Sequence, residues 1–387
     1  MKIGLVTLPP MSKGGGGREL FQAILANLEQ EHDVVVLTMG KYNQYGIKLP
    51  LSIINVDVND GLENHKFDYV IFDTEYSFVS FKHLLPDLRR NSIKLVALFH
   101  DEYWKKSPLI LYRRGILNLK DSLSLDYFKS IVISVIERSL LRRNITGKIK
   151  LLLKGLSKSY RRDILDAMYF LDIISVLGAE SKFIWEKSLK VFGFKTRVVF
   201  NPILFSTNDT ELTPSLHMDD PRPFFIFPSR IASEKNIEFV LRVFEEYSDR
   251  YLLRIVGRVH DKVYYEDLKK LIRQRGLECA VVFHLDADSM SLQSYLRNAK
   301  IYLCADLADF NIATIKALFS GCPCVVHSTF TQLPMEFLDM EPFIHRSKLS
   351  IDSYRRQISR AIEGGRFEPS TGFQHVSNYV RKLINND

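Results

Sequence analysis

No apolar run in this 387-residue sequence approaches the roughly 18 uncharged residues that a membrane-spanning helix requires, and no internal repeat or low-complexity tract is present. Cysteine is scarce. The four thiols, Cys279, Cys304, Cys322 and Cys324, all fall in the second half and show no paired metal spacing. Cys322-Pro-Cys324 is one residue too short for a redox or zinc Cys-x-x-Cys. A disulfide scaffold and a zinc finger are thereby excluded, and buried thiols in a reducing compartment are the expectation. A cleavable signal is missing too: MKIGLVTL passes directly into an alternating apolar run and a glycine-rich turn. The expected location is the cytoplasm, or the cytosolic face of a membrane.

What is there is an ordinary globular composition, 46% apolar, long enough for two domains. Short β-branched runs alternate with helix-length segments: KIGLVTL 2–8, DVVVLT 33–38, DYVIFD 68–73, KLVALF 94–99, DIISVL 172–177 and TRVVFN 196–201. Continuous apolar strands of this kind belong to parallel sheets covered on both faces. A polar stretch with Pro202, Pro214, Pro221 and Pro223 breaks the alternation and reads as a linker. It resumes with FFIFPS 224–229, YLLRIVG 251–257, AVVFHL 280–285, KIYLCA 300–305 and PCVVHS 323–328. The sequence therefore predicts an α/β protein of two doubly wound, Rossmann-like domains facing a cleft: residues 1–205, residues 206–371, and a C-terminal amphipathic helix, 372–387, that could cross back to the first domain.

Charge is unevenly spread. Residues 1–205 hold 30 of the 53 Lys and Arg against 21 of the 45 Asp and Glu, a net +9, while the remainder is −1. Between Arg138 and Arg162 there are nine basic residues and no acidic one. In GKIKLLLKGLSKSYRR, Lys150, Lys154 and Lys158 share one helical face and Ile149, Leu152, Leu153 and Leu156 another. That pattern fits a solvated basic face on a docked helix, and equally a helix lying on an anionic membrane or forming an acceptor surface. Nucleic acid ranks below both, since no recognised module accompanies the charge.

Chemistry-bearing residues gather after strands. Gly14-Gly15-Gly16-Gly17 follows the first strand and precedes a helix, where backbone can approach a phosphate closely or simply turn. The spacing is no clean Gly-x-Gly-x-x-Gly, and the second strand ends at Thr38-Met39-Gly40 without an acidic ribose ligand, which disfavours a nicotinamide oxidoreductase. His100 follows KLVALF, at the carboxyl end of that strand, and is placed to touch a substrate or exchange a proton, or to sit exposed beside an N-cap. In SRIASEKN, 229–236, Arg230 and Lys235 hang before a helix and could grip a diphosphate, with the helix dipole adding to the field. The segment 305–326 reads as an Asp/Asn-rich loop and a helix from about Asn311 to Ser320 capped by Gly321, whose first amides at Asn311 and Ile312 suit an anion. Lys316 falls in what this reading takes as that helix's early turns, where a cation is disfavoured unless an anion is near.

SRIASEKNIEFVLRVF resembles the Gly-Arg-x-x-x-Glu-Lys-Gly segment of the retaining nucleotide-sugar glycosyltransferases of family 4, which have the GT-B architecture. The glycine loop, VALFHD, SVLGAESKF, TRVVFNPI, RIVGRVHDKVYYEDLKKLI and ALFSGCPCVV are similar in order and spacing over nearly the whole chain. The resemblance implies a hexosyltransferase-type enzyme that moves a sugar from a nucleotide-diphosphate donor to a glycan or lipid-linked acceptor with retention. Arg230, Lys235 and the helix starts near Gly15 and Asn311 would stabilise the departing diphosphate without a cofactor or a metal, and His100 would touch the donor.

The family's two glutamates, eight positions apart, fall on Ala308 and Lys316. Asp309, and less plausibly Asp306, could stand in near the sugar; nothing acidic replaces the ribose carboxylate. Either Lys316 meets an additional anion on the nucleotide side, or the donor site has decayed and the chain is a catalytically silent binding protein.

Overall fold

The computed structural model describes residues 1–7, 16–38, 54–57, 66–73, 77–78, 81–99, 168–176, 179–192, 194–200, 220–306, 311–328, 330, 333 and 335–368. The chain divides into two compact units, with the boundary in sequence at Leu204 and Phe205.

In the first unit, β1 (Lys2–Thr7) leads through α1 (Gly16–Glu31) to β2 (Asp33–Thr38), then β3 (Ile54–Asp57), β4 (Tyr69–Phe72), α2 (Leu85–Arg90), β5 (Lys94–Phe99), β6 (Ile173–Val176), α3 (Ala179–Phe192) and β7 (Arg197–Phe200). The strands form one parallel sheet in the order β3-β2-β1-β4-β5-β6-β7. Alternate residues explain the apolar runs. Val34 and Val36 of β2 pack with Phe21, Ile24 and Leu28 of α1, while Val35 and Leu37 join the opposite layer with Phe72, Phe99 and Trp185. β2 thus buries both faces, which a parallel sheet between two helix layers demands.

The second unit repeats the plan. β8 (Phe224–Pro228), α4 (Ile237–Phe244), β9 (Leu252–Gly257), α5 (Lys262–Gln274), β10 (Val281–Leu285), α6 (Ser289–Asn298), β11 (Ile301–Leu303), α7 (Ile312–Phe319), β12 (Cys324–His327), β13 (Ile344–Ser347) and α8 (Ile351–Gly364) follow in order. The parallel sheet runs β10-β9-β8-β11-β12-β13. One face packs Phe225, Leu253, Ile255 and Leu303 against α4, α5 and α8, and each such buried side chain contributes roughly 1.5–3 kcal/mol. Helix starts follow local chemistry: Asp261 accepts from Tyr264 N at 3.0 Å and Asp288 from Ser291 N at 2.7 Å, satisfying amides that the helices leave open.

Two doubly wound α/β units are what the alternating runs predict. Two edge strands, β3 (INVD) and β13 (IHRS), go beyond it, because each is four residues long and at least half polar, so neither stands out as an apolar run. The thiol expectation needs one correction. Cys304, Cys322 and Cys324 are buried, but Cys279 is exposed in the turn before β10, where a side chain has no layer to cover it. Burial pushes the thiols up, Cys304 to about 11 and Cys322 to about 12, so both stay protonated and inert. Most of the linker, residues 201–219, and the C-terminal helix lie outside the described residues. Among the described residues no helix is long and apolar enough to cross a membrane.

Candidate functional site

In both sheets the strand order reverses beside the first strand, between β1 and β4 and between β8 and β11. The loops leaving such neighbours diverge to opposite faces and open a crevice at their carboxyl ends, the usual ligand position in a doubly wound sheet.

At the second unit's crevice, the chain leaves β8 along Ser229, Arg230 and Ile231. Ser229 N donates to Val256 O at 2.9 Å and Ile231 N to Arg258 O at 2.8 Å, so this stretch continues pairing with the residues after β9. Arg230 between them is exposed. A single 3-10 turn, Ser233–Lys235, then delivers Asn236, which adopts φ 54°, ψ 40° and starts α4. Asparagine tolerates this left-handed geometry, which explains how it can stand where the resembled motif has glycine.

Asn236 is buried, and its Nδ2 donates to Ala305 O at 2.9 Å. One residue earlier, Lys235 Nζ forms a hydrogen-bonded ion pair with Asp306 Oδ2. Two successive residues of the β8 loop are therefore fastened to two successive residues beyond β11. Burial pulls the Lys235 pKa down, but the adjacent Asp306 carboxylate more than offsets it, so the net shift is upward and the ammonium stays charged. Arg230 acts on Lys235 in the opposite sense, as a neighbouring cation.

The same strand end anchors two helices. Tyr354 of α8 donates its hydroxyl to Cys304 O at 2.6 Å, and Asn311 Nδ2 reaches Cys304 Sγ at 3.6 Å. Asn311 is the N-cap of α7. Its Oδ1 accepts from Ala313 N at 2.9 Å and its carbonyl from Thr314 N at 3.0 Å, leaving Ile312 N–H as the first amide that the cap does not engage. Arg230, Lys235, Asp306 and the start of α7 thus collect around one crevice of one unit.

Several sequence expectations change here. Lys316 is not in an early turn: α7 spans only Ile312–Phe319, so this half-buried lysine sits in its last turn, where a cation complements the dipole. Its position calls for no anion. Ser320 is the C-cap, and Gly321 follows at φ 70°, where an added Cβ would meet Phe367 O at 2.3 Å. The start of α4 is also less open to a diphosphate than its position suggests. Ile237 N donates to Tyr264 Oη at 3.1 Å, Tyr264 donates onward to Glu238, and buried Glu238 already brings a carboxylate to the first turn. Lys235, finally, is engaged by Asp306 rather than presented alone.

Gly16 opens α1. Gly15, His100, Asp309, Lys150, Lys154 and Lys158 lie outside the described residues. Sequence reasoning did not single out Asn236, Tyr264 or the Asp306 pairing. The signal for the last was an acidic residue directly after an apolar strand, 71 positions from its partner. At the first unit's crevice, Thr7 Oγ1 donates to Asp73 Oδ2 at 2.5 Å, joining the ends of β1 and β4. Among the described residues no group of three His, Cys, Asp or Glu side chains is placed to hold a metal.

Comparison with known proteins bears on the family of the second unit and on the fold. Residues 208–371, almost the whole second unit, match the family glycosyl transferases group 1. The second unit carries the glycosyl transferases group 1 match, and both units have the Rossmann-like fold found in GT-B glycosyltransferases. A search of the curated proteins returns no match. Among solved structures, HepE from Anabaena in complex with UDP and glucose is similar over 100% of both chains, with TM-score 0.59 and 13% identity. Sucrose-phosphate synthase from Thermosynechococcus elongatus is similar over 100% of this chain and 94% of its own, with TM-score 0.57 and 13% identity. The lipopolysaccharide outer core galactosyltransferase WaaB, in its apo form, is similar over 100% and 95%, with TM-score 0.57 and 13% identity. Likeness at this identity speaks to the fold.

Proposed function

We propose that the protein transfers a sugar from a nucleoside-diphosphate donor to a glycan or lipid-linked acceptor, with retention of configuration. The donor diphosphate would lie in the crevice between β8 and β11. The observation carrying this reading is the convergence of Arg230, Lys235 and the α7 start at a strand-order reversal, within a glycosyl transferases group 1 domain. HepE, of similar fold, is described with UDP and glucose bound.

As the glycosidic bond breaks, negative charge gathers on the leaving diphosphate. Arg230 and the Ile312 amide would meet that charge, and an interaction that strengthens as charge develops accelerates the step. No resident metal is invoked, since cationic side chains carry the task. His100 and Asp309 on the donor, Lys316 on the nucleotide side, and Gly15 and Gly16 on a phosphate remain part of this proposal. So does attachment of the basic first half to an anionic cytosolic membrane face through Lys150, Lys154 and Lys158.

A second reading, a silent binding protein, draws on Ala308 and Lys316 at the motif's glutamate positions and on the engagement of Lys235 by Asp306. Thermal denaturation with UDP, GDP, ADP, dTDP and their sugar conjugates decides between them. Stabilisation by one nucleotide and its sugar conjugate, abolished in R230A/K235A, together with turnover of that conjugate, supports transfer; stabilisation without turnover supports the silent reading. No response to any of these in a cooperatively melting protein refutes the donor site.

A further inference from the structure

We propose that Asp306 is an internal competitor for the donor's diphosphate, so that phosphate enters by exchanging with this carboxylate on Lys235, and anions of lower charge are turned away. The inference rests on the donor reading above and specifies how that site selects its ligand.

The Lys235–Asp306 pair lies at the crevice, with side chains only 18% and 16% exposed. It cannot separate by drift of its loops. Asn236 holds Ala305 at 2.9 Å, and Lys235 N donates to Ala232 O at 3.0 Å, so the backbones carrying the two charges are tied together. Parting requires rotation of a side chain, with a replacement anion for the ammonium, because an unpaired and largely desolvated charge is costly.

Charge balance sets which anions qualify. Among the described residues, the three side chains Arg230, Lys235 and Asp306 sum to +1, and withdrawal of the carboxylate leaves these cations at +2. A diphosphate supplies enough negative charge and enough acceptor oxygens to satisfy Lys235 and Arg230 together. A single phosphate that takes Lys235 leaves either Asp306 or Arg230 poorly matched. The carboxylate therefore acts as a repulsive element against weaker anions, discriminating by what it opposes as well as by what the lysine attracts.

The test is calorimetric titration of the full chain with pyrophosphate and with inorganic phosphate, for the parent, D306N, D306S, K235M and D306N/K235M. D267N, which neutralises an exposed carboxylate paired with Lys270 on α5, controls for net charge. D306N is expected to tighten pyrophosphate by about tenfold and to admit inorganic phosphate, since opening a close charge pair frees its cation for another anion. K235M is expected to abolish the gain, alone or combined with D306N. Should D306N fold poorly, D306S carries the same expectation with less bulk. Pyrophosphate affinity unchanged or weakened by both Asp306 variants, or a gain that persists without Lys235, overturns the proposal.

The two readings separate cleanly. A nucleoside diphosphate that binds the parent, yet no tighter to D306N, leaves donor binding standing and removes the exchange. A pyrophosphate gain in D306N, with no nucleoside diphosphate bound by either protein, supports the exchange and removes the donor reading.

Discussion

Gly257 ends β9 directly beneath the loop that carries Arg230, at φ 156°. A Cβ added there would stand 2.1 Å from Ser229 O and 2.8 Å from Ser229 C. Those atoms are backbone, pinned by Ser229 N to Val256 O at 2.9 Å and Ile231 N to Arg258 O at 2.8 Å, so no side-chain rotation relieves the clash. Gly257→Ala must push the loop away by about 1 Å and hold alanine in a backbone region it disfavours. Displacement of a packed neighbour costs about 1–3 kcal/mol and the dihedral about 1–3 kcal/mol, which together suggest a loss of at least about 3 kcal/mol. For a unit of this size, that corresponds to a drop of about 6–12 °C in Tm.

Spectroscopy can localise the loss. Both tryptophans, Trp104 and Trp185, belong to the first half of the sequence, so tryptophan emission follows that half while far-UV circular dichroism follows both. The expected result is a dichroism transition moved down by the stated amount, an emission transition held in place, and nucleoside-diphosphate binding weakened along with the displaced Arg230. A variant as stable as the parent, or one whose two transitions move equally, would refute the reasoning that this glycine sets the floor of the donor loop.

Two further outcomes are expected. Asn311→Ala removes the acceptor for Ala313 N–H and should cost about 1 kcal/mol in urea unfolding, whereas Asn311→Asp keeps an acceptor and should cost less; equal losses in both variants would show that the cap bond is not the cause. The second concerns acid. His284 Nε2 must accept from Arg254 Nη1 at 2.9 Å, because a guanidinium only donates, so the ring proton sits on Nδ1 facing Tyr295 Oη at 3.0 Å. Burial, and then the Arg254 charge, hold the His284 pKa below the ordinary histidine value, and His345 is lowered by burial and Arg360. With the folded pKa depressed, the contribution to stability is complete above the unfolded value, about 6.5, and is lost as pH falls through the folded value. Tm should therefore decline on acidification below about pH 6.5, and His284→Gln should flatten that decline; an unaltered slope would count against His284 as a source.

How much of this was legible beforehand varies element by element. The long buried strands were, since DVVVLT and KLVALF are apolar on consecutive residues and only a sheet covered on both faces can bury them. The start of α7 at Asn311 was legible for a related reason: a short polar side chain before an apolar period satisfies its own neighbours' amides. Placement of Arg230 and Lys235 after β8 followed from the same local order. The polar edge strands were not, because their pairing comes from β2 and β12 rather than from their own residues. Nor was the setting of Lys316, whose relation to the dipole depends on where α7 stops.

Local interactions, then, were decided within the sequence: strand period, helix starts, and the presence of two cations on one loop. The tertiary structure alone decided what those cations meet. Lys235 and Asp306 become partners because β11 inserts beside β8, a juxtaposition made by parallel crossover connections across 71 residues. Charge acts through distance, and distance between remote residues exists only once the sheet has assembled.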